Sequence, residues 1–187
     1  MDKFDSVKKE IESILPDSPI DFELKHSELV LKWVLKLKPD ADEALKIAAL
    51  GHDIDRAISK ITETYSLKDY SKINEFKKEH SLRSAKVLVD LLKKYGYDKK
   101  IIDQVKNLVE NHEFGGDEDS DILMTADSLS FFDYNTPFYF KMNGREKTLK
   151  KIKFMYVRLS EKGKKLVHEI KFKDKEIEKL VREAISN

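Results

Sequence analysis

Apolar positions recur along this chain at intervals of three and four, the spacing that lines up one face of an α-helix. Leu29, Val30, Trp33 and Leu37 form one such stripe, Leu45 and Ala49 a second, Val87 and Leu91 a third, and Ile101, Val105 and Leu108 a fourth. No stretch of useful length alternates apolar and polar residues as a half-buried strand does. The pattern predicts an all-α, single-domain helical bundle, with helices over about 2–14, 21–38, 41–58, 74–95, 98–112, 119–133, 145–170 and 173–185. Pro16 and Pro39 punctuate the first breaks. Two longer connections remain, 62–73 and 133–144. In the second, Phe138, Tyr139 and Phe140 read more readily as core or lid packing than as a platform for a base.

A polar side chain in step with an apolar stripe points into the bundle, so it says more than the stripe does. His26 follows Phe22 by four and precedes Leu29 and Val30. His52 continues Leu45 and Ala49, His80 stands with Phe76, Ser84 and Val87, and His112 ends the series of Ile101, Val105 and Leu108. Asp127 lies four residues from both Leu123 and Phe131. His168 falls off its stripe and reads as a surface residue. One inward histidine is usually a core residue bonded to a carbonyl. Four of them, with an inward aspartate, call for a shared partner, because an unpaired buried carboxylate costs several kcal/mol. A divalent cation is the simplest such partner. Cysteine is absent, which leaves imidazole and carboxylate as the strong ligands and excludes disulfides and thiolate zinc sites.

The order His26, His52-Asp53, Asp127 resembles the pattern of the HD-domain metal-dependent phosphohydrolases, over roughly residues 20–135. The local wording is similar too: Ala48-Ala49-Leu50-Gly51-His52-Asp53-Ile54, His80-Ser81-Leu82-Arg83-Ser84-Ala85, and Asn111-His112-Glu113-Phe114-Gly115-Gly116 ahead of Ala126-Asp127. His80 and His112 fall where two-metal members carry two further histidines, whereas the Gly-Tyr-Pro of the HD-GYP branch is missing. The resemblance implies an HD-type fold over residues 1–187. It also implies one or two divalent metal ions (manganese, iron, cobalt, nickel or zinc) held by His26, His52, Asp53, His80, His112 and Asp127. In the two-metal form Asp53 bridges, His26, His52 and Asp127 complete one ion, and His80 and His112 the other. The implied reaction is attack of a metal-bound hydroxide on a phosphomonoester or phosphoanhydride of a small molecule, above all a nucleotide, with Asp53 indispensable to catalysis.

Phosphate also needs positive groups, and guanidinium matches its oxygens. Arg56 follows His52 by four, Arg83 follows His80 by three, Arg145 precedes Leu149 by four, and Arg158 stands on the neighbouring face; these are the candidate substrate contacts. Glu79 and Glu113, each beside an inward histidine, are left out, since neighbours on a helix point about 100° apart.

The formal charge of +1 conceals an asymmetry: residues 141–187 hold 15 Lys and Arg against 7 Asp and Glu, leaving 21 against 28 in residues 1–140. The basic segment, helices 145–187, is a candidate for holding substrate, for binding nucleic acid along its backbone, or for pairing with the acidic half. No apolar run approaches the roughly 20 residues that span a bilayer, and Met1-Asp2-Lys3-Phe4 is unlike a signal peptide, so a cytoplasmic enzyme is expected. The alternative is a non-catalytic sensing module that binds a nucleotide or nucleic acid. A di-iron bundle oxidase is disfavoured, because among the residues three before His26, His52, His80 and His112 only Glu23 is a glutamate.

Overall fold

The computed structural model describes residues 2–63 and 69–186. Among them the regular structure is helical throughout, with no strand. The helices are α1 (Lys3–Ile14), α2 (Glu23–Leu37), α3 (Glu43–Gly51), α4 (Asp55–Ser59), α5 (Ile73–Lys94), α6 (Lys99–Asn111), α7 (Glu118–Ser130), α8 (Thr136–Val157), α9 (Glu161–Val167) and α10 (Lys175–Ile185). Short polar side chains fix several starts by accepting from N–H groups that have no helical partner. Asp42 accepts from Leu45, Asp98 from Ile101, Asp117 from Ser120 and Ser160 from Gly163.

Helix α3 is the centre of the bundle. Ala44, Leu45, Ile47, Ala48, Ala49 and Leu50 are all buried, so the helix is apolar all round. It packs against α2 and α6; α2 also packs on α7, α5 runs along α6, and α10 lies on α8. Val7 and Ile11 of α1 join the same apolar cluster, as do Leu180 and Val181 of α10. No helix among the described residues is long and apolar enough to cross a membrane.

Three expected elements differ. The helix expected over 41–58 stops at Gly51, and bonds from Ile54 N to Gly51 O and from Arg56 N to Asp53 O wind residues 52–54 into a tighter turn before α4. Gly51 lies where α3 presses on α5: a Cβ there would sit 2.6 Å from Leu88 Cδ2. The connection expected over 133–144 is helical instead. A π-helical turn, Phe131–Asn135, runs straight into α8, with Pro137 at the start of that helix. Helix α8 then breaks at Gly144, whose φ of 73° places it in the region glycine alone enters freely. Finally, the helix expected over 145–170 is split before Ser160, which caps α9. Of the connection read over 62–73, residues 64–68 lie outside the described residues, and a 3₁₀ turn, Tyr70–Lys72, leads into α5.

Candidate metal centre

Five elements each bring a part of one cluster. Helix α2 carries His26, the turn after α3 carries His52 and Asp53, α5 carries His80, the residue after α6 is His112, and α7 carries Asp127. The four rings and Asp53 are buried. Ring centroids lie 5.3 Å apart for His26 and His52, 5.2 Å for His52 and His112, and 5.7 Å for His80 and His112.

Two helix ends account for the aim of two rings. The last carbonyls of a helix lack N–H partners. At the end of α3, His52 Nδ1 meets Ala49 O at 3.0 Å, and at the end of α6, His112 Nδ1 meets Val109 O at 2.7 Å. A carbonyl only accepts, so in each neutral ring Nδ1 holds the proton and Nε2 turns a lone pair inward. His80 Nδ1 donates likewise to Asp55 Oδ2 at 3.2 Å. His26 Nδ1 lies 2.9 Å from Ser130 Oγ, whose own proton goes to His26 O. The Asn135 amide nitrogen stands 3.1 Å from the same Nδ1 while its Oδ1 is buried without a partner. Turning that amide over puts its oxygen, beside the Ser130 hydroxyl, where it can accept from Nδ1–H.

The inward atoms converge on Asp53. Its Oδ2 lies 3.7 Å from His26 Nε2 and 3.5 Å from His52 Nε2; its Oδ1 lies 2.7 Å from His80 Nε2 and 3.7 Å from His112 Nε2. Asp127 Oδ1 is 3.3 Å from His26 Nε2 and 4.0 Å from His52 Nε2. The two oxygens of Asp53 thus face two different pairs of histidines. His26, His52 and Asp127 form one group that could hold a metal ion, and Asp53, His80 and His112 a second. Glu23, His26 and Asp53 form a third, overlapping group. The donor set fits a borderline divalent ion: imidazole nitrogens with inward lone pairs, set among carboxylate oxygens. The Nε2 atoms of His26 and His52 stand 3.3 Å apart, a spacing at which two lone pairs repel unless a proton or a cation lies between them.

The electrostatics keep both carboxylates charged. Burial raises the pKa of Asp127, yet Arg158, His26 and His52 outweigh it and hold the carboxyl far below its usual range. Asp53 is likewise held well below normal, with Arg56, His52 and His80 overcoming burial. Burial opposes the charged form of His26 and His80, but Asp127 and Asp53 respectively prevail and raise both. His112, with burial dominant, is pushed down to about 4.

A ring of charged residues surrounds the cluster. Arg56 Nη1 binds Asp53 Oδ2 and meets Glu23 Oε1 at 3.0 Å. Arg158 Nη2 lies 3.1 Å from both Asp127 Oδ2 and Glu113 Oε2, and Lys77 Nζ meets Glu113 Oε2 at 2.8 Å. Burial works against the Glu113 charge, but Arg158 and Lys77 lower its pKa to about 2. Of the four arginines singled out as phosphate contacts, Arg56 and Arg158 line the cavity above the cluster. Arg83 instead binds Asp55 Oδ2 at 2.9 Å through Nε, behind His80. Arg145 is exposed and pairs with Glu183, because the inward line of its helix runs through Thr148, Ile152 and Met155, with Leu149 only half-buried at its edge.

Glu23, Asp55, Lys77 and Glu113 belong to the site and were missed. Glu113 was set aside by the helical 100° rule, yet α6 ends at Asn111, so the rule does not apply there. Glu79, excluded on the same ground, is exposed. Asp55 is a second buried carboxylate two residues past Asp53, and no spacing in the sequence marks it as buried. His168 lies off the cluster and is exposed, as expected.

The cavity measures about 440 Å³. His26, Asp53 and Asp127 form its floor, Arg56, Lys77, Lys151 and Arg158 supply positive charge, and Phe22, Tyr134 and Phe138 add an aromatic corner. The basic carboxy-terminal segment pairs partly with itself, in Arg145–Glu183, Lys150–Glu146, Lys164–Glu161 and Arg182–Glu178. Lys151 reaches Glu63 and Arg158 reaches Glu113 and Asp127, all in the acidic half.

The sequence model of a family described as "Domain of unknown function (DUF4202)" matches residues 3–181. No curated protein and no solved structure matches the chain.

Proposed function

The chain belongs to the DUF4202 family, whose description assigns no activity, and we propose that it is an HD-type metal-dependent phosphohydrolase that cleaves a phosphomonoester or phosphoanhydride, by preference of a nucleotide. The observation that carries this reading is Asp53, a buried carboxylate whose two oxygens face separate histidine pairs on the floor of a cavity that Arg56, Lys77, Lys151 and Arg158 also line. A divalent ion bound there would supply a water acidified toward neutrality and positive charge against the phosphoryl oxygens. The residues of the chain do the rest. Carbonyls of Ala49 and Val109 keep His52 and His112 in the ligating tautomer, and Asp55 does the same for His80. Arg158 and Lys77 share Glu113, an arrangement that lets a phosphate take over some of their hydrogen bonds without leaving either cation unpaired. Arg56, between Glu23 and Asp53, is placed to do the same from the other side.

The test is a screen of nucleotides, dinucleotides and simple phosphomonoesters with added manganese, cobalt, nickel, iron or zinc, run on the wild-type chain and on Asp53→Asn. Metal-dependent phosphate release that Asp53→Asn loses together with bound metal is the expected result. Full turnover with full metal occupancy in Asp53→Asn would reject the assignment.

A further inference from the structure

We propose that Phe22, Tyr134 and Phe138 form a stacking subsite for the planar base of a nucleoside phosphate whose phosphate lies over His26, Asp53 and Asp127. This rests on the phosphohydrolase reading of the same cavity and adds the feature by which the substrate is chosen. Phe22 and Phe138 lie with centroids 4.8 Å apart and planes at 30°, and Tyr134 stands 5.3 Å from Phe138 and 6.2 Å from Phe22. All three line the cavity that holds the metal-ligand cluster.

Packing alone does not account for this corner. Tyr139 and Phe140 are partly buried against the apolar core, and Tyr139 meets Phe131 at 6.0 Å. Phe138 keeps 40% of its surface exposed, and Met142, one helical turn on and also lining the cavity, keeps 54%. An uncovered ring beside an uncovered thioether, on the wall of a polar cavity, is apolar surface that a ligand would cover.

The corner is also tied to the metal site. The π-helical turn that carries Tyr134 carries Asn135, which sits on His26 Nδ1, and Phe22 is the residue that precedes α2, four before His26. Such turns are frequent at functional sites. Lys141 shares the stretch before Gly144 with Phe138, but the other cations come from elsewhere, Arg56 from α4, Lys77 from α5, and Lys151 and Arg158 from beyond the Gly144 break. A ligand filling the cavity therefore meets most of the positive charge and the aromatic faces from different sides, which matches a phosphate joined to a planar base. The volume of about 440 Å³ falls in the range of small-molecule sites.

Stacking of a base on an aromatic side chain is worth about fivefold to about a hundredfold in affinity. Calorimetric titration of the cobalt-loaded chain with adenosine 5′-monophosphate and with ribose 5-phosphate, which keeps the phosphate and lacks the base, reads this directly. Hydrolysis of each is followed separately. Adenosine monophosphate should bind tighter by that factor. Phe138→Ala should remove the advantage and leave ribose 5-phosphate unchanged, and Phe138→Leu, which keeps apolar volume without a π-face, should behave like the alanine variant. Equal binding of the two ligands by wild type, equal weakening of both by Phe138→Ala, or a full base preference in Phe138→Leu would each overturn the subsite. Base-dependent binding without turnover would keep the subsite and remove the phosphohydrolase; base-independent turnover would do the reverse.

Discussion

Replacing Glu113 by Gln removes the anion that two buried cations share. Lys77 Nζ lies 2.8 Å and Arg158 Nη2 3.1 Å from the same oxygen, Glu113 Oε2. Lowering of its pKa from 4.5 to about 2 corresponds to about 3 kcal/mol of stability at neutral pH, from about 1.4 kcal/mol per pH unit. Breaking a buried pair by removing one partner costs a similar 3–5 kcal/mol or so. The pKa of Lys77 moves downward too, because burial, together with repulsion from Arg158 and Lys151, outweighs its pairing with Glu113. The carboxylate is the better gauge of the cluster, since it faces both cations whereas Lys77 shares a single anion. A group with a depressed folded-state pKa contributes fully above its unfolded value and loses that contribution as pH falls toward the folded one. The stability gap between wild type and Glu113→Gln should therefore be about 3 kcal/mol at pH 7, begin to close below about pH 4.5, and be roughly half closed near pH 3. Urea denaturation of both chains at a series of pH values, in chelator, measures it. A gap that stays constant from pH 7 to pH 3, or one under about 0.5 kcal/mol at pH 7, would refute the cluster as described.

Asp55→Asn should weaken one ion more than the other. Asp55 Oδ2 holds His80 Nδ1 at 3.2 Å and is itself held by Arg83, so its loss should lower affinity at the Asp53, His80 and His112 group by about 10- to 100-fold, while the group with Asp127 keeps its ion. Stepwise metal binding by calorimetry reads this, and equal weakening of both steps would contradict it. Gly51→Ala should destabilise the chain by about 1–3 kcal/mol, because the added Cβ meets Leu88, which is fully buried and has little room to move. An unchanged denaturation midpoint would show that α3 and α5 separate freely.

The helices and five of the six ligand candidates were legible because they obey a local rule, that an inward residue keeps step with the apolar residues of its own helix, whereas Asp53 rests on its place beside His52 in the HD-like pattern. His26 and His80 follow the rule within α2 and α5. His52 and His112 were found by it although they lie one residue past a helix end, since one step beyond the last turn still points the same way. What escaped depends on pairing between distant elements. Arg83 and Arg145 are equal to Arg56 and Arg158 by spacing, and only the partners Asp55 and Glu183 separate them. Glu23 and Asp55 are buried because Arg56 and Arg83 reach them across the bundle, which no periodicity records. The end of the π-helical turn and the first part of α8 were read as a connection, because Pro137 and Gly144 look alike in sequence whether they open and break a helix or bound a connection.

Both the metal binding and the phosphate chemistry proposed for this cavity depend on Asp53, whose two oxygens face the two histidine pairs. Returning manganese or cobalt to the metal-stripped chain, with bound metal and phosphate release from a nucleoside monophosphate measured on the same samples, tests both at once. Release should rise with binding and level off at two ions per chain, and Asp53→Asn should fail in both. Metal bound at full stoichiometry with no release from any nucleotide, dinucleotide or simple phosphomonoester would contradict the enzyme and leave a metal-bearing sensing module in its place.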